Sequence, residues 1–274
     1  MAVPEIVFHV GLGKVASTYL QHRFFPKLQK IHYIPTNRYR QVPDIIKKGK
    51  YGRYFVSREF DQQLEREVSW FASYYPEVKP IIIFRRHDGW AASQYRRYVK
   101  NGGHLPFTGF LDVEGDTGLW KVNDFIFYNH IEQLEKHFTH KPLVLFYEEL
   151  RTDPWAFFDK IAAYADAAYD QKDISLAKVH TSYKEKELKV MRKMGKYIFG
   201  EELTPTNSRS LSGWLHRRGQ MLASYAVLYP SKLLPKRFVD PAPLIPPEEL
   251  EKVRDFFAED WAKVKAYAEK SATV

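Results

Sequence analysis

Three short apolar runs govern what this chain can fold into. Residues 6–10, 80–84 and 143–147 are each almost continuously hydrophobic, and each passes within a few residues into a helical pattern. A strand covered by helices on both faces reads this way, whereas a half-exposed strand alternates apolar with polar. Strands that alternate with helices point to parallel βαβ units rather than to hairpins closed into a sandwich or barrel. The expected fold class is therefore α/β, a central parallel sheet flanked by helices. Lesser strands are predicted at 31–34 and 54–57. Helices are predicted at 17–28, along Leu64, Val68, Phe71 and Tyr75 as far as Pro76, at 88–99, along Phe127, Ile131, Leu134 and Phe138, and at 154–165. Beyond 168 the strand signals fade, leaving helical stretches near 183–199, 211–228 and 247–269 and a proline-rich connection at 229–247. The expectation is one domain over 1–274, with 169–274 as largely helical additions.

Composition narrows the function classes. At 274 residues, 45% hydrophobic and 27% charged, the chain has apolar payload enough for a sizeable core, which excludes a disordered or collagen-like protein. It has no cysteine, hence no disulfide, no thiolate nucleophile and no cysteine-ligated metal. The apolar runs fall far short of the roughly 20 residues of a membrane-spanning helix. The chain starts Met1-Ala2-Val3-Pro4-Glu5 without the pattern of a signal peptide, so a cytoplasmic location is expected. Residues 1–110 carry 18 basic and 8 acidic side chains, the remainder 24 and 25. A basic field confined to one part of the chain concentrates anionic ligands there, although a solvated basic face reads the same way.

The first strand runs into a glycine loop, Val10-Gly11-Leu12-Gly13-Lys14-Val15-Ala16-Ser17-Thr18. Backbone N–H groups at a helix start favour an anionic oxygen, Gly11 and Gly13 permit close approach, and Lys14 adds a full charge. A Walker A loop needs glycine where Phe8 stands and a hydroxyl where Val15 follows the lysine. The missing hydroxyl removes a magnesium contact that an ATP or GTP phosphotransferase uses. What remains is a phosphate cradle without that metal contact, or a tight strand-to-helix turn with a solvated lysine. The second loop repeats the arrangement: residues 81–102 hold a buried strand, Arg85 at its end and Ser93 eight residues on, with Tyr95 nearby. An arginine fork and a hydroxyl at the carboxyl edge of a parallel sheet suit one phosphate between them. An ion pair to a neighbouring carboxylate is the plainer use of such an arginine.

Taken together, the two loops resemble the PAPS-dependent sulfotransferases, which carry a P-loop NTPase-like fold. Gly13 to Thr18 is similar to the family's 5′-phosphosulfate loop, and the Arg85 to Ser93 spacing to its 3′-phosphate motif. A third segment, Leu143-Val144-Leu145-Phe146-Tyr147-Glu148-Glu149-Leu150 with Asp153-Pro154 behind it, resembles the family's Tyr-Glu-(Asp or Glu)-Leu strand and following helix start. The match covers residues 6–165. Departures are Gly13 for proline, Val15 for a small or hydroxyl residue and Ala16 for glycine; a left-handed conformation at Ala16 is disfavoured. The C-terminal Arg-Lys-Gly motif of the animal cytosolic enzymes is absent, with Arg209, Arg217 and Arg218 as candidate replacements, and the short length looks more like the bacterial carbohydrate or lipid enzymes.

The resemblance implies PAPS as sulfuryl donor, PAP as product and no required metal, with a hydroxyl acceptor on a glycan or lipid. It implies that Gly13, Lys14, Val15, Ala16, Ser17 and Thr18 hold the 5′-phosphate, with Lys14 neutralising the leaving group, Arg85 and Ser93 the 3′-phosphate, and Tyr147 near the adenine. The base is Glu59, at the end of the strand over 54–57, or His104 in Asn101-Gly102-Gly103-His104; a surface ion pair is the plain use of Glu59. His9, inside the first strand, reads as a packed core histidine. The lysine-rich helix from Tyr183 suits an acidic substrate or membrane surface, or is a solvated face. A P-loop-type kinase and a nucleic-acid-binding module are the competing classes; no nucleic-acid motif is present, and binding to nucleic acid is not expected.

Overall fold

The computed structural model describes residues 4–177, 183–200 and 211–271, apart from the side chains of 211, 212, 217 and 236. In chain order the elements are β1 (Glu5–Gly11), α1 (Ser17–Tyr19), β2 (His32–Ile34), α2 (Val42–Lys47), β3 (Arg53–Glu59), α3 (Leu64–Ala72), β4 (Val78–Phe84), α4 (His87–Lys100), α5 (Phe107–Phe110), α6 (Phe127–His137), β5 (Leu143–Phe146), α7 (Tyr147–Thr152), α8 (Pro154–Tyr164), α9 (Glu185–Phe199), α10 (Leu211–Ser231), α11 (Pro247–Phe256) and α12 (Ala258–Ser271). They group into two compact units, one of Met1–His87, Asn123–Val179 and Phe257–Val274, the other of Asp88–Val122 and His180–Phe256.

The first unit holds a five-stranded sheet in the order β2-β3-β1-β4-β5 with every pairing parallel, as the apolar runs require. From β1 the chain passes to the outer strand β2, returns to β3 beside β1, and then crosses to β4 and β5 on the other side, so the order reverses at β1. In open α/β sheets a crevice for ligand forms at the carboxyl ends of the strands where the order reverses. Both faces of β1 are covered. Phe8 meets Tyr39, Phe60, Phe71 and Phe138 on one side. On the other, His9 and Phe55 pack on Phe25, and the neighbouring Phe24 stacks on Phe158 of α8 at 4.3 Å. A strand buried on both faces needs no polar alternation, which is why 6–10 reads as a continuous apolar run.

Several expectations shift in detail. The helix read over 17–28 is one α-turn, then a π-turn at 20–24 and a 3-10 turn at 25–27. Pro26 and the pinned Phe24 and Phe25 rings interrupt regular i to i−4 pairing. The strand read over 143–147 stops at Phe146, because Glu149 reaches back to accept the Phe146 N–H and Tyr147 begins α7. Asp153 caps α8 by accepting the N–H groups of Trp155 and Ala156 at 3.1 and 3.0 Å, with Pro154 in the first turn, as its sequence foretells. The helix read over 247–269 breaks at Phe257, whose ring turns inward onto His87 and Phe125.

The second unit holds α4, α5, α9, α10 and α11 joined by irregular segments, one of which closes with an isolated Leu111–Trp120 bridge. Tyr95 of α4 lies among Tyr98, Phe107 and Phe110, and its hydroxyl donates to Leu105 O at 2.8 Å. Helix α9 is tied in by Arg192, which donates to the Tyr95 hydroxyl and to Leu244 O. Among the described residues no helix is long and apolar enough to cross a membrane.

Candidate functional site

The loop after β1 takes its shape from what lies beneath it. A Cβ on Gly11 would come within 2.8 Å of His9 Cε1 and 3.1 Å of Ser17 Oγ, so glycine is required there by the protein's own packing. His9 is fully buried, with Nδ1 2.8 Å from Ser57 Oγ, which also accepts from Gln21 Nε2 at 3.1 Å. Burial pushes the His9 imidazole down to about 3, so it is neutral near pH 7. It is the packed histidine that its position in the strand predicts. Ser17, only 1% exposed, donates its hydroxyl to Leu12 O at 3.0 Å and closes the loop on itself. Val15 is buried and anchors the loop, while Lys14 beside it is exposed.

Two residues of the loop have left-handed backbones, Lys14 at φ 70° and Ala16 at φ 68°, ψ 14°. Ala16 therefore adopts the conformation its side chain disfavours, because the anchored neighbours Val15 and Ser17 leave the chain no other path. Since α1 is only three residues long, it brings no long helix dipole to this loop, whose charged group is Lys14.

The carboxyl ends of the other strands bring further groups to the same edge of the sheet. Glu59 ends β3 directly opposite Gly11 in the parallel register. Two residues on, Asp61 Oδ1 accepts the Gly13 N–H at 2.8 Å, and the Phe60 N–H donates to Gly11 O at 2.7 Å, so the loop after β3 is laced to the loop after β1. Asp61 carried no signal in the sequence beyond its nearness to Glu59. After β4, the Arg85 guanidinium lies over the Tyr147 ring at 4.7 Å, a cation–π contact that fixes the plane of both groups. The next residue, Arg86, donates its N–H to Glu148 Oε1 at 3.1 Å. Four adjacent strand ends thus span about 14 Å at the usual inter-strand spacing. Across that edge stand an exposed lysine, two carboxylates and an arginine on an aromatic ring.

Gly13 to Thr18, Glu59, Arg85 and Tyr147 all belong to the first unit; Ser93 and His104 belong to the second. Ser93 is partly buried on α4. His104 follows the turn at Gly102, whose φ of 105° glycine accommodates, and its buried Nδ1 has no hydrogen-bond partner among the described residues. Its ring lines a 440 Å³ cavity together with Lys189, Arg192, Lys193, Lys196 and Tyr197 of α9 and the segment 238–240. Of the candidates for a C-terminal phosphate contact, Arg209 lies outside the described residues, Arg217 is on α10, and Arg218 on α10 lies over the Trp214 ring at 5.3 Å. Among the described residues no group of three or more histidines and carboxylates is placed to hold a metal ion.

No protein-family model matches the chain, and no curated protein matches it. Solved structures do. A sulfotransferase from Alicyclobacillus acidocaldarius is similar at 15% identity and TM-score 0.48, over 84% of this chain and 96% of that one. The mouse sulfotransferase SULT7A1 complexed with PAP is similar at 18% identity and TM-score 0.36, over 63% and 62%. Retinol dehydratase in complex with androsterone and inactive cofactor PAP is similar at 12% identity and TM-score 0.39, over 99% and 81%.

Proposed function

We propose that this protein is a sulfotransferase that moves a sulfuryl group from PAPS to a hydroxyl on a glycan or lipid. The observation that carries the reading is the carboxyl edge of the sheet, where the Lys14 loop, Glu59 opposite Gly11 and the Arg85–Tyr147 pair are set side by side on consecutive strands. The fit of the donor follows from the groups present. Lys14 and the loop N–H groups suit a 5′-phosphosulfate, Ser17 and Thr18 support that loop, and Val15 at the position after the lysine leaves no hydroxyl for a magnesium ion. Arg85, held flat by Tyr147, presents its fork to the 3′-phosphate, with Ser93 as a second donor and Tyr147 beside the adenine.

In this reading Glu59 takes the proton of the acceptor hydroxyl as its oxygen bonds to sulfur, and Lys14 neutralises the charge on the 5′-phosphate oxygen as the bond from sulfur to that oxygen breaks. His104 is the alternative base. The reaction needs no redox change and no metal. The location consistent with this activity is cytoplasmic.

The test is transfer of label from sulfur-35 PAPS to a panel of sugar and glycolipid hydroxyls by wild type and Lys14→Ala. Removing one preorganised charge from a developing anion costs about 100-fold or more in turnover. The expected result is such a loss with PAP affinity changed far less. A Lys14→Ala variant that transfers label at the wild-type rate would show that the leaving-group role is wrong.

A further inference from the structure

Helix α10 is built inside out. Its buried positions include Gly213, Ser224, Leu228 and Ser231, which fall along one stripe, and both serine hydroxyls are satisfied within the helix, Ser224 by Gln220 O at 2.9 Å and Ser231 by Leu228 O at 2.8 Å. Leu222 lies two residues from Ser224, about 200° around the axis. On that outer stripe Leu215, Leu222 and Tyr229 recur every seven residues and stand in solvent, Leu222 at 64% exposure. Leu233, just past the helix end, is 88% exposed. The packed neighbour α9 adds exposed Met194, Tyr197 and Ile198, Tyr197 at 81%. A helix of a soluble domain normally buries its large apolar side chains and leaves serine outside.

The charge around this face is strongly one-sided. Residues 183–200 and 211–238 carry eleven lysines and arginines against two acidic residues, both at the start of α9, and 211–238 carry no acidic residue. Cations sit beside the exposed rings: Arg218 over Trp214 at 5.3 Å, Lys232 over Tyr229 at 4.8 Å and Arg237 over Phe238 at 4.9 Å. A second copy meeting this face through itself would set exposed Lys193, Lys196, Arg218, Lys232 and Arg237 against the same five, which opposes a two-fold contact. Leucines and aromatic rings mingled with lysine and arginine instead match the boundary between acyl chains and negatively charged head groups.

We propose that the outer face of α10, with the adjoining end of α9 and the segment to Phe238, lies on an anionic lipid bilayer, whatever reaction the first unit carries out. The leucines and rings enter the boundary layer and the lysines and arginines meet lipid phosphates. A 440 Å³ cavity of this unit is lined by Tyr197 and Phe238 together with Lys193, Lys196 and Asp240, room and net positive charge for a phosphorylated head group.

The full chain is sedimented with vesicles of phosphatidylcholine alone and of phosphatidylcholine with about one third phosphatidylglycerol. The expected result is at least tenfold stronger partition onto the anionic vesicles, weakening as salt rises. Leu222→Glu with Leu233→Glu should cut that partition at least tenfold at an unchanged melting temperature, since both side chains are exposed. Lys232→Gln with Arg237→Gln should reduce it while sparing the apolar face. Absence of binding to anionic vesicles, equal binding to both vesicle types, or full binding by the Leu222→Glu, Leu233→Glu variant overturns the proposal. So does a dimer in sedimentation velocity that this variant dissolves, which would make a second copy the occupant.

Discussion

Ala16 offers the sharpest perturbation of the phosphate loop, because it holds a left-handed backbone at φ 68°, ψ 14° with a side chain that resists it. Holding an L-residue there costs about 1–2 kcal/mol. Glycine removes that strain and gives back about 0.5–1 kcal/mol through its greater freedom in the unfolded chain. Ala16→Gly should therefore stabilise the protein by about 0.5–1 kcal/mol, roughly 1–3 °C in melting temperature for a chain of this size. Ala262→Gly, an exposed position inside α12, is the control and should lose about 1 kcal/mol. The two substitutions are chemically identical and opposite in sign, so denaturant unfolding of both against wild type reads the loop conformation directly. The same loosening should weaken PAP binding several-fold, since the loop then has to be ordered on binding. An Ala16→Gly variant that loses as much stability as Ala262→Gly would refute the left-handed assignment and the strain argument with it.

Asp61 places a negative charge on the Gly13 N–H of a loop we assign to an anion. Asp61→Asn keeps an oxygen acceptor and removes the charge, so PAP affinity by calorimetry should rise several-fold at low salt and fall more steeply as salt is added; a weaker complex would mean that Asp61 organises the loop for the ligand. His9 gives a pH prediction: buried and neutral with its value pushed down to about 3, against the ordinary 6.5, it binds its proton only in the unfolded chain between those limits. Stability is therefore full above about pH 6.5 and falls as pH drops toward 3, by about 2–3 kcal/mol at pH 4.5, and denaturant melts across that range should show the decline reduced in His9→Gln. A pH-independent stability between 6.5 and 4.5 would place His9 in water.

Much of the sheet was legible because burial on both faces leaves a direct trace in sequence. The strands read at 6–10, 54–57 and 80–84 lie within β1, β3 and β4, and the polar loops after the first and third carry Lys14 and Arg85. What sequence periodicity missed depends on contacts from elsewhere in the chain. Tyr147 follows four strand-forming residues, yet Glu149 captures the Phe146 N–H and turns it into a helix start beneath Arg85. The break at Phe257 comes from the His87 ring, 170 positions earlier. Asp61 shows no pattern of its own, and only the parallel register of β1 and β3 reveals that it reaches Gly13. The sequence marks 211–228 only as helical, and the exposure of Leu215, Leu222 and Tyr229 along one stripe depends on which face of α10 packs against the rest of its unit.

Thermal melting of the full chain with PAP, ADP and AMP at matched concentration asks whether the strand ends accept an adenosine carrying phosphates at both its 3′ and 5′ positions. The expected result is a rise in melting temperature chiefly with PAP, and the loss of most of that rise in Arg85→Ala. Equal stabilisation by ADP, or an Arg85→Ala variant that responds to PAP as wild type does, would contradict it.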